Sequence, residues 1–184
     1  KNSQHIPTNI PFVLLGTGML WFGWFGFNAG SALAANGTAA MAFATTTTSS
    51  AAAMLTWIFF DRMNGRKVSA LGACIGAVVG LVAITPAAGF VSVPESMFFG
   101  FVTALVSNSA VNCRFSKKFD DTLDVFACHG VGGIMGMILT AIFAHGENAR
   151  RLRRGPKKNR QKISGAKRHD ILCIRYFCLV DFAL

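Results

Sequence analysis

The sequence predicts an all-α protein, a polytopic membrane helix bundle with about five transmembrane helices. Hydrophobic residues make up 52% of the 184 residues and charged residues only 14%, against about 25% charged residues in a typical soluble domain. The mean hydropathy is +0.45. Five apolar stretches approach the length of a membrane span, about 20 residues, and their interiors lack Lys, Arg, Asp and Glu. This pattern excludes a disordered chain and argues against a water-soluble globule or a secreted disulfide scaffold.

The predicted spans are separated by turn and loop signals. They cover residues 10–35, 38–60, 68–85, 97–111 and 125–144. Asn36-Gly37 marks a tight turn, 61–67 is a charged loop, and Val93-Pro94-Glu95 precedes the fourth span. The fourth span is short, so we expect it to be tilted or extended.

Basic residues in the short loops predict the orientation. Loops 61–67 and 112–121 each contain three Lys or Arg, whereas loops 36–38 and 86–96 contain none. Alternation of five spans puts both basic loops on one side of the membrane. By the positive-inside rule that side is cytoplasmic.

A basic tail follows the last predicted span. Residues 145–184 contain 11 basic and 3 acidic residues, whereas residues 1–144 contain 7 basic and 5 acidic residues. The sequence therefore predicts two regions, a transmembrane region at 1–144 and a basic tail at 145–184 outside the bundle. Such a tail is typical of binding to nucleic acid or anionic lipid, but five spans place it on the outer face, so no nucleic-acid partner is expected.

No chemistry typical of an enzyme stands out. The five cysteines are spaced singly, without a CxxC pair or a Cys/His metal pattern, and are expected to be free thiols. We expect no metal and no cofactor.

Small and hydroxylated residues predict how the spans pack. GxxxG pairs occur at Gly26/Gly30, at 72, 76 and 80, and at Gly132/Gly136; such pairs allow close helix contact in lipid, although they are also common in apolar helices. The hydroxyl run at 45–50 is expected to bond to carbonyls four residues back, in preference to lining a conducting path.

His129 is the one ionisable imidazole within a predicted span. An ionisable residue inside a membrane is costly and is a functional candidate; the alternative is a packing histidine near the interface. Asp124 begins the same span and is expected to cap the helix. Trp24, Phe27 and Ser31 fall on one helical face, where aromatic rings can attract a cation or simply face lipid or core.

Four segments together resemble one family. Gly23-Trp24-Phe25-Gly26-Phe27-Asn28-Ala29-Gly30-Ser31, Leu71-Gly72-Ala73-Cys74, Ile84-Thr85-Pro86-Ala87 and Asp124-Val125-Phe126-Ala127-Cys128-His129-Gly130-Val131-Gly132-Gly133 occur in this order. Their combination resembles the ammonium transporter family (Amt/Mep/Rh). The resemblance covers about residues 6–144 and implies the sixth to tenth spans of an eleven-span, trimeric protein in the plasma membrane.

The resemblance also implies roles for single residues. His129 is similar to the second of the family's paired pore histidines, and Phe27 to one of the phenylalanines that close the outer mouth. Trp24 resembles a pore-lining aromatic, Ser31 the hydroxyl of an outer ammonium site, and Asp124 an acidic position near the inner end of the pore.

We therefore expect ammonium or ammonia as substrate, a lipid bilayer as environment and a homotrimer in the complete protein. Because the resemblance leaves out the first five spans, the 184-residue chain is expected not to transport alone. The alternative is a non-conducting chain that associates with full-length transporter subunits.

Overall fold

The computed structural model describes residues 9–112 and 125–143 and contains five α-helices there, which confirms the predicted fold class. They are α1 (Ile10–Asn28), α2 (Gly37–Met63), α3 (Ala70–Ile84), α4 (Val93–Asn112) and α5 (Gly132–Phe143). Short 3-10 turns at Gly30–Ala32 and Thr85–Ala87 follow α1 and α3, and a π-helical turn at Phe126–Val131 leads into α5. Asp124 and the predicted tail 145–184 lie outside the described residues.

Side-chain caps fix the starts of the helices. The carboxamide oxygen of Asn9 accepts from Phe12 N (3.3 Å), and that of Asn36 accepts from Ala39 N (2.9 Å). The hydroxyl oxygen of Ser69 accepts from Gly72 N at 3.0 Å. Each cap satisfies an amide that would otherwise lack a partner at the helix start.

Two boundaries differ from the predicted ones. Residues 61–63 continue α2 instead of beginning a loop, because Asp61 is buried and hydrogen-bonded. Helix α4 begins at Val93 instead of residue 97. Pro94 fits the first turn because the amide it lacks has no helical partner there, and Glu95 Oε2 accepts from Ser92 N at 2.7 Å.

The first helix is shorter than the predicted span. Helix α1 ends at Asn28, a 3-10 turn continues to Ala32, and Leu33 adopts a left-handed conformation with φ of 54°. A left-handed residue cannot continue a right-handed helix. The apolar stretch to residue 35 therefore includes a turn as well as a helix.

Helix α3 lies at the centre of the bundle and packs against each of the other four helices. Helices α2 and α4 pack extensively on each other and on α3. Helix α1 docks on α3 and α2, whereas α5 docks on α3 and α4.

Glycines allow the closest helix contacts. A Cβ placed on Gly80 would lie 2.6 Å from Ser49 O and from Ser50 Cα, and a Cβ on Gly100 would clash with the same Ser49 carbonyl. A Cβ on Gly136 would likewise meet Ala83 O. Close contact through GxxxG glycines is therefore confirmed at Gly76 and Gly80 in α3 and at Gly136 in α5, whereas a Cβ on Gly132 would meet side-chain atoms only at 3.6–3.9 Å.

The glycines of α1 behave differently. Cβ atoms placed on Gly16, Gly18, Gly23, Gly26 and Gly30 would meet nothing within 4 Å among the described residues. The predicted Gly26/Gly30 contact is thus not formed within this part of the chain. Within residues 9–112 and 125–143, the glycine-bearing surface of α1 is therefore open.

Three segments are long and apolar enough to cross a membrane by length and composition: Ile10–Ala32, Ala70–Ala87 and Phe126–Phe143. Helices α2 and α4 are 27 and 20 residues long, but they carry buried hydroxyl groups. Membrane helices accommodate such groups when they are hydrogen-bonded within the bundle.

The hydroxyl run in α2 is hydrogen-bonded to backbone, as predicted. Thr45, Thr46, Thr47 and Thr48 each donate to the carbonyl four residues back, at 2.6–3.0 Å. The two serines instead bond to α3: Ser49 donates to Gly80 O at 2.9 Å and Ser50 to Ala77 O at 2.8 Å. These groups join α2 to α3.

Candidate pore-lining residues

Three predicted site residues lie together on α1 and the turn after it. The rings of Trp24 and Phe27 meet edge to face, with centroids 5.9 Å apart. Ser31 Oγ donates to Phe27 O at 2.5 Å. Trp24 is half-buried, whereas Phe27 and Ser31 are exposed. The structure thus forms one aromatic and hydroxyl face from these residues.

Trp24 is held by a residue from another helix. Its Nε1–H donates to Thr85 Oγ1 at 2.9 Å, and Thr85 Oγ1 donates to Leu81 O at 2.7 Å. Indole nitrogen can only donate, so the threonine oxygen is a matched acceptor. The two hydrogen bonds fix the indole plane at the C-terminal end of α3.

A second polar contact anchors the end of α1. Asn28 is buried, and its Nδ2 donates to Thr46 Oγ1 at 3.0 Å. Thr46 Oγ1 in turn donates to Ala42 O at 2.6 Å. Buried amides are costly unless hydrogen-bonded, so this pair sets how α1 lies on α2.

In the sequence, Thr85 and Asn28 stand out only as members of the motifs at 84–87 and 23–31. The structure gives each a specific partner, at separations of 61 and 18 residues along the chain. Their presence in the quoted segments was the available signal.

His129 lies in the π-helical turn before α5 and is half-buried. Its neighbour Cys128 points into the core, where it packs with Ala53, Trp57, Val79 and Ala104. Consecutive residues of a helix face different directions, so Cys128 and His129 do not share one face of the turn. Single-turn π segments occur frequently at functional sites.

The α1 helix and the π-helical turn that carries His129 both pack on the central helix α3. Helix α5 packs on α3 and α4, while α1 packs on α3 and α2. Asp124, the fifth predicted site residue, lies outside the described residues, so its capping and inner-pore roles stay predictions.

A polar cluster that the sequence analysis did not identify lies at the predicted cytoplasmic end. Asp61 Oδ1 accepts from Arg66 Nη1 and from Asn108 Nδ2, both at 3.0 Å, and Arg66 Nη1 also donates to Asn108 Oδ1 at 2.8 Å. Asn112 Nδ2 donates to Asn108 O at 2.6 Å. This Asp61 cluster joins α2, the loop after it and α4.

Within residues 9–112 and 125–143, no group of three or more His, Cys, Asp or Glu side chains is placed to hold a metal ion.

Within the described residues, a bundle of α-helices with three segments that are long and apolar enough to cross a membrane defines the class, a polytopic membrane protein. The model of the Ammonium Transporter Family matches residues 1–178. The chain belongs to this family, a transporter family and not an enzyme family.

Similar proteins and solved structures support the membership of the chain in this family. The chain is 49% identical over 145 residues to an ammonium transporter of Aquifex aeolicus, covering 78% of this chain and 34% of the relative. It is 47% identical over 141 residues to ammonium transporter Amt1 of Archaeoglobus fulgidus, covering 77% and 36%. The crystal structure of Candida albicans Mep2 matches with a TM-score of 0.73 and 34% identity, covering 98% of this chain and 41% of that one.

The chain thus spans about a third of the length of the curated relatives it matches. The predicted boundary between residues 144 and 145 stays a prediction.

Proposed function

We propose that the chain forms one wall of a path that conducts ammonium or ammonia across the plasma membrane. The observation that carries this proposal is the fixed face of Trp24, Phe27 and Ser31. Membership in the family favours a transport function. The face of Trp24, Phe27 and Ser31 provides aromatic rings and a hydroxyl group that can bind a small cation.

The face on α1 is the recruitment site in this proposal. The π faces of Trp24 and Phe27 attract a cation most strongly once its water is removed. The proton of Ser31 is used in its bond to Phe27 O, so the serine oxygen retains a lone pair to accept an N–H of ammonium.

His129 acts deeper in the path. A neutral imidazole offers one donor and one acceptor, so it can hydrogen-bond a nitrogen compound that has given up a proton. Potassium has no proton to lose and cannot be rehydrated in a narrow apolar path, which gives selectivity. Asp124 lies at the inner end of the path in this proposal. Its carboxylate interacts favourably with the dipole at the N-terminus of the helix that follows.

The chain alone does not conduct in this proposal. Phe27 is 41% exposed, and the glycine-bearing surface of α1 is open among the described residues. A path needs a facing wall, since polar groups facing lipid are penalised. Further spans complete each path, and completed subunits form a homotrimer.

Uptake by a chimera tests the proposal. Residues 6–144 replace the aligned segment of the Aquifex aeolicus transporter, which is 49% identical, and uptake of labelled ammonium into proteoliposomes is measured. We expect uptake by the chimera, at least a tenfold loss in its His129→Ala and Phe27→Ala variants, and background uptake by the 184-residue chain.

Phe22→Ala is the matched control, because Phe22 lies on the same helix and is 79% exposed. It should leave uptake unchanged. Full uptake by the His129→Ala chimera would contradict the role of the imidazole, and clear uptake by the chain alone would contradict its dependence on further spans.

The second candidate function is a non-conducting chain that associates with full-length subunits. The open glycines of α1 favour it, because small residues permit close helix contact in lipid. Co-purification of the tagged chain with an intact transporter, reduced by Gly23→Leu, would support this function; no co-purification from one membrane would contradict it.

A further inference from the structure

Two exposed cations at the end of α2 lack a partner of opposite charge. Arg62 lies in the last turn of α2, and Lys67 lies in the loop that leads to α3. Both residues are exposed, and neither side chain forms an ion pair or a hydrogen bond with another described residue. Their charges are therefore available to a ligand.

The nearest carboxylate does not neutralise these cations. Asp61 is buried, and its Oδ1 accepts from Arg66 Nη1 and Asn108 Nδ2, both at 3.0 Å. Arg66 is thus paired within the Asp61 cluster, whereas the two exposed cations are not. Residues 61–67 contain three basic residues and one acidic residue, so this end of α2 carries an excess of positive charge.

A tight turn brings the two cations to the same level. Arg66 N donates to Asp61 O at 2.9 Å, and Gly65 N donates to Arg62 O at 3.2 Å. Since Lys67 follows Arg66 directly, the chain returns beside the last turn of α2. Lysine and arginine carry their charges on long stems that lie along apolar surface, so both charges can reach one anionic group at the membrane surface.

An apolar stripe leads from these cations into the membrane. Leu55, Phe59 and Met63 are spaced by four residues and are 63%, 66% and 68% exposed. Residues at this spacing share one face of a helix, and Arg62, three residues after Phe59, lies on the same face. The stripe covers about 12 Å of helix, against about 15 Å for half of the hydrocarbon core. Its length fits one leaflet of a bilayer.

The charges and the apolar stripe together fit a phospholipid, which has a phosphate at the membrane surface and acyl chains below it. In a zwitterionic lipid an ammonium group offsets the phosphate charge, whereas an anionic lipid keeps its negative charge. The predicted orientation puts loop 61–67 on the cytoplasmic side of the membrane. Anionic lipids give that leaflet a negative surface potential, which attracts basic residues.

We propose that the end of α2 binds one anionic phospholipid, whose phosphate lies between Arg62 and Lys67 and whose acyl chain lies along the apolar stripe. Inorganic phosphate offers the same headgroup chemistry, but the stripe commits the site to a lipid. A second copy of the chain on the stripe in two-fold symmetry would bring the same cations together, which their repulsion disfavours. The proposal does not depend on the transport function.

Native mass spectrometry of the 184-residue chain in detergent tests the charge requirement. Phosphatidylglycerol, phosphatidylcholine and inorganic phosphate are titrated separately. We expect phosphatidylglycerol to bind most tightly, and Arg62→Gln and Lys67→Gln each to weaken its binding about fivefold. Binding of phosphatidylcholine should stay unchanged.

The matched control removes two positive charges from the tail 145–184 by combining Lys157→Gln with Lys158→Gln. It should leave phosphatidylglycerol binding unchanged. An equal loss in the control would show that net charge alone attracts the lipid. Inorganic phosphate that binds as tightly as phosphatidylglycerol would show an ion site without a lipid. Either result would overturn the proposal.

Photo-crosslinking tests the position of the acyl chain. Phe59→p-benzoylphenylalanine is compared with Phe22→p-benzoylphenylalanine, at an exposed position of α1, in nanodiscs of phosphatidylglycerol and phosphatidylcholine in equal parts. We expect lipid adducts at position 59 to be enriched in phosphatidylglycerol unless Arg62→Gln and Lys67→Gln are also present, and adducts at position 22 to follow the mixture. Adducts at position 59 that follow the mixture, or that join a second copy of the chain, would contradict the site.

Discussion

At Trp24, one hydrogen bond decides how an aromatic ring is presented. The Nε1–H reaches Thr85 Oγ1 at 2.9 Å, and the ring edge meets Phe27. A hydrogen bond in an apolar setting restricts the ring to one orientation. The side chain most suited to a cation is thereby fixed from a neighbouring helix.

The Trp24–Thr85 pair gives the first prediction. Trp24→Phe and Thr85→Val each remove the bond, and we expect a coupling of about 0.5–1.5 kcal/mol between them. A double-mutant cycle on unfolding in detergent measures it. Additive losses would contradict a direct bond.

The Asp61 cluster gives the second prediction. Asn108 is 0% exposed and donates to Asp61 Oδ1, so Asn108→Leu leaves a buried carboxylate with one donor fewer. We expect a loss of about 1–3 kcal/mol in the free energy of unfolding. Ser109→Ala on the same helix is exposed and should stay within about 0.5 kcal/mol; equal effects would show that the cluster contributes nothing specific.

The sequence predicted which residues share a helical face better than it predicted their hydrogen-bond partners on other elements. Helical spacing placed Trp24, Phe27 and Ser31 on one face, and the structure joins them. Spacing carries no information about Thr85, 61 residues away, because tertiary packing selects the partner. The Asp61 cluster was missed for the same reason, although Asp61 and Arg66 are close in sequence.

At the scale of elements, glycines divide the helices into two kinds. On α3 and α4, Gly80 and Gly100 bring backbones together around Ser49, and on α5 Gly136 does so at Ala83. On α1 they meet nothing among the described residues. The GxxxG motif thus packs against a neighbouring helix in α3, whereas in α1 it lies on a surface that no described residue covers.

This division gives the third prediction. Gly80→Ala places a Cβ 2.6 Å from backbone atoms of α2, and backbone cannot yield cheaply, so we expect a loss of about 1–3 kcal/mol or more. Gly26→Ala is the matched control and should cause no loss, since alanine favours helix over glycine by about 1 kcal/mol. Unfolding midpoints in nanodiscs compare the two, and equal effects would contradict the division.

The five helices were predictable from their apolar runs, but their ends were not. Helix α2 runs to Met63 and α4 begins at Val93, because burial of Asp61 and capping by Glu95 extend them through charged residues. In a hydropathy profile a charged residue indicates a loop. The profile contains no information about a hydrogen-bond partner on another helix, such as Asn108 for Asp61. The π-helical turn before α5 had no signal in the periodicity.

At the scale of the molecule, the basic loops set a direction across the membrane. Loops 61–67 and 112–121 are basic, and 36–38 and 86–96 are not. The positive-inside rule predicts that the first pair is cytoplasmic. This predicted orientation puts Ser31 toward the outer side of the membrane, as the proposed recruitment site requires.

Thiol labelling checks this direction. Ala34 and Asn64 are exposed in loops at opposite ends of α2, so each is replaced by cysteine in a chain whose five native cysteines are alanine. A membrane-impermeant maleimide applied to intact cells should label the cysteine at 34 and label the one at 64 only after lysis. The reverse pattern would contradict the orientation.

The central position of α3 has a consequence for biosynthesis. A ribosome delivers the chain from its N-terminal end at about 5–20 residues per second, so α1 and α2 leave the translocon before the helix that both pack against. Until Ala70–Ile84 emerges, Ser49 and Ser50 lack their carbonyl acceptors on α3 and can bond to carbonyls of their own helix instead. The hydrogen bonds that join α2 to α3 therefore form only after a delay of about a few seconds, when the third helix has been synthesised.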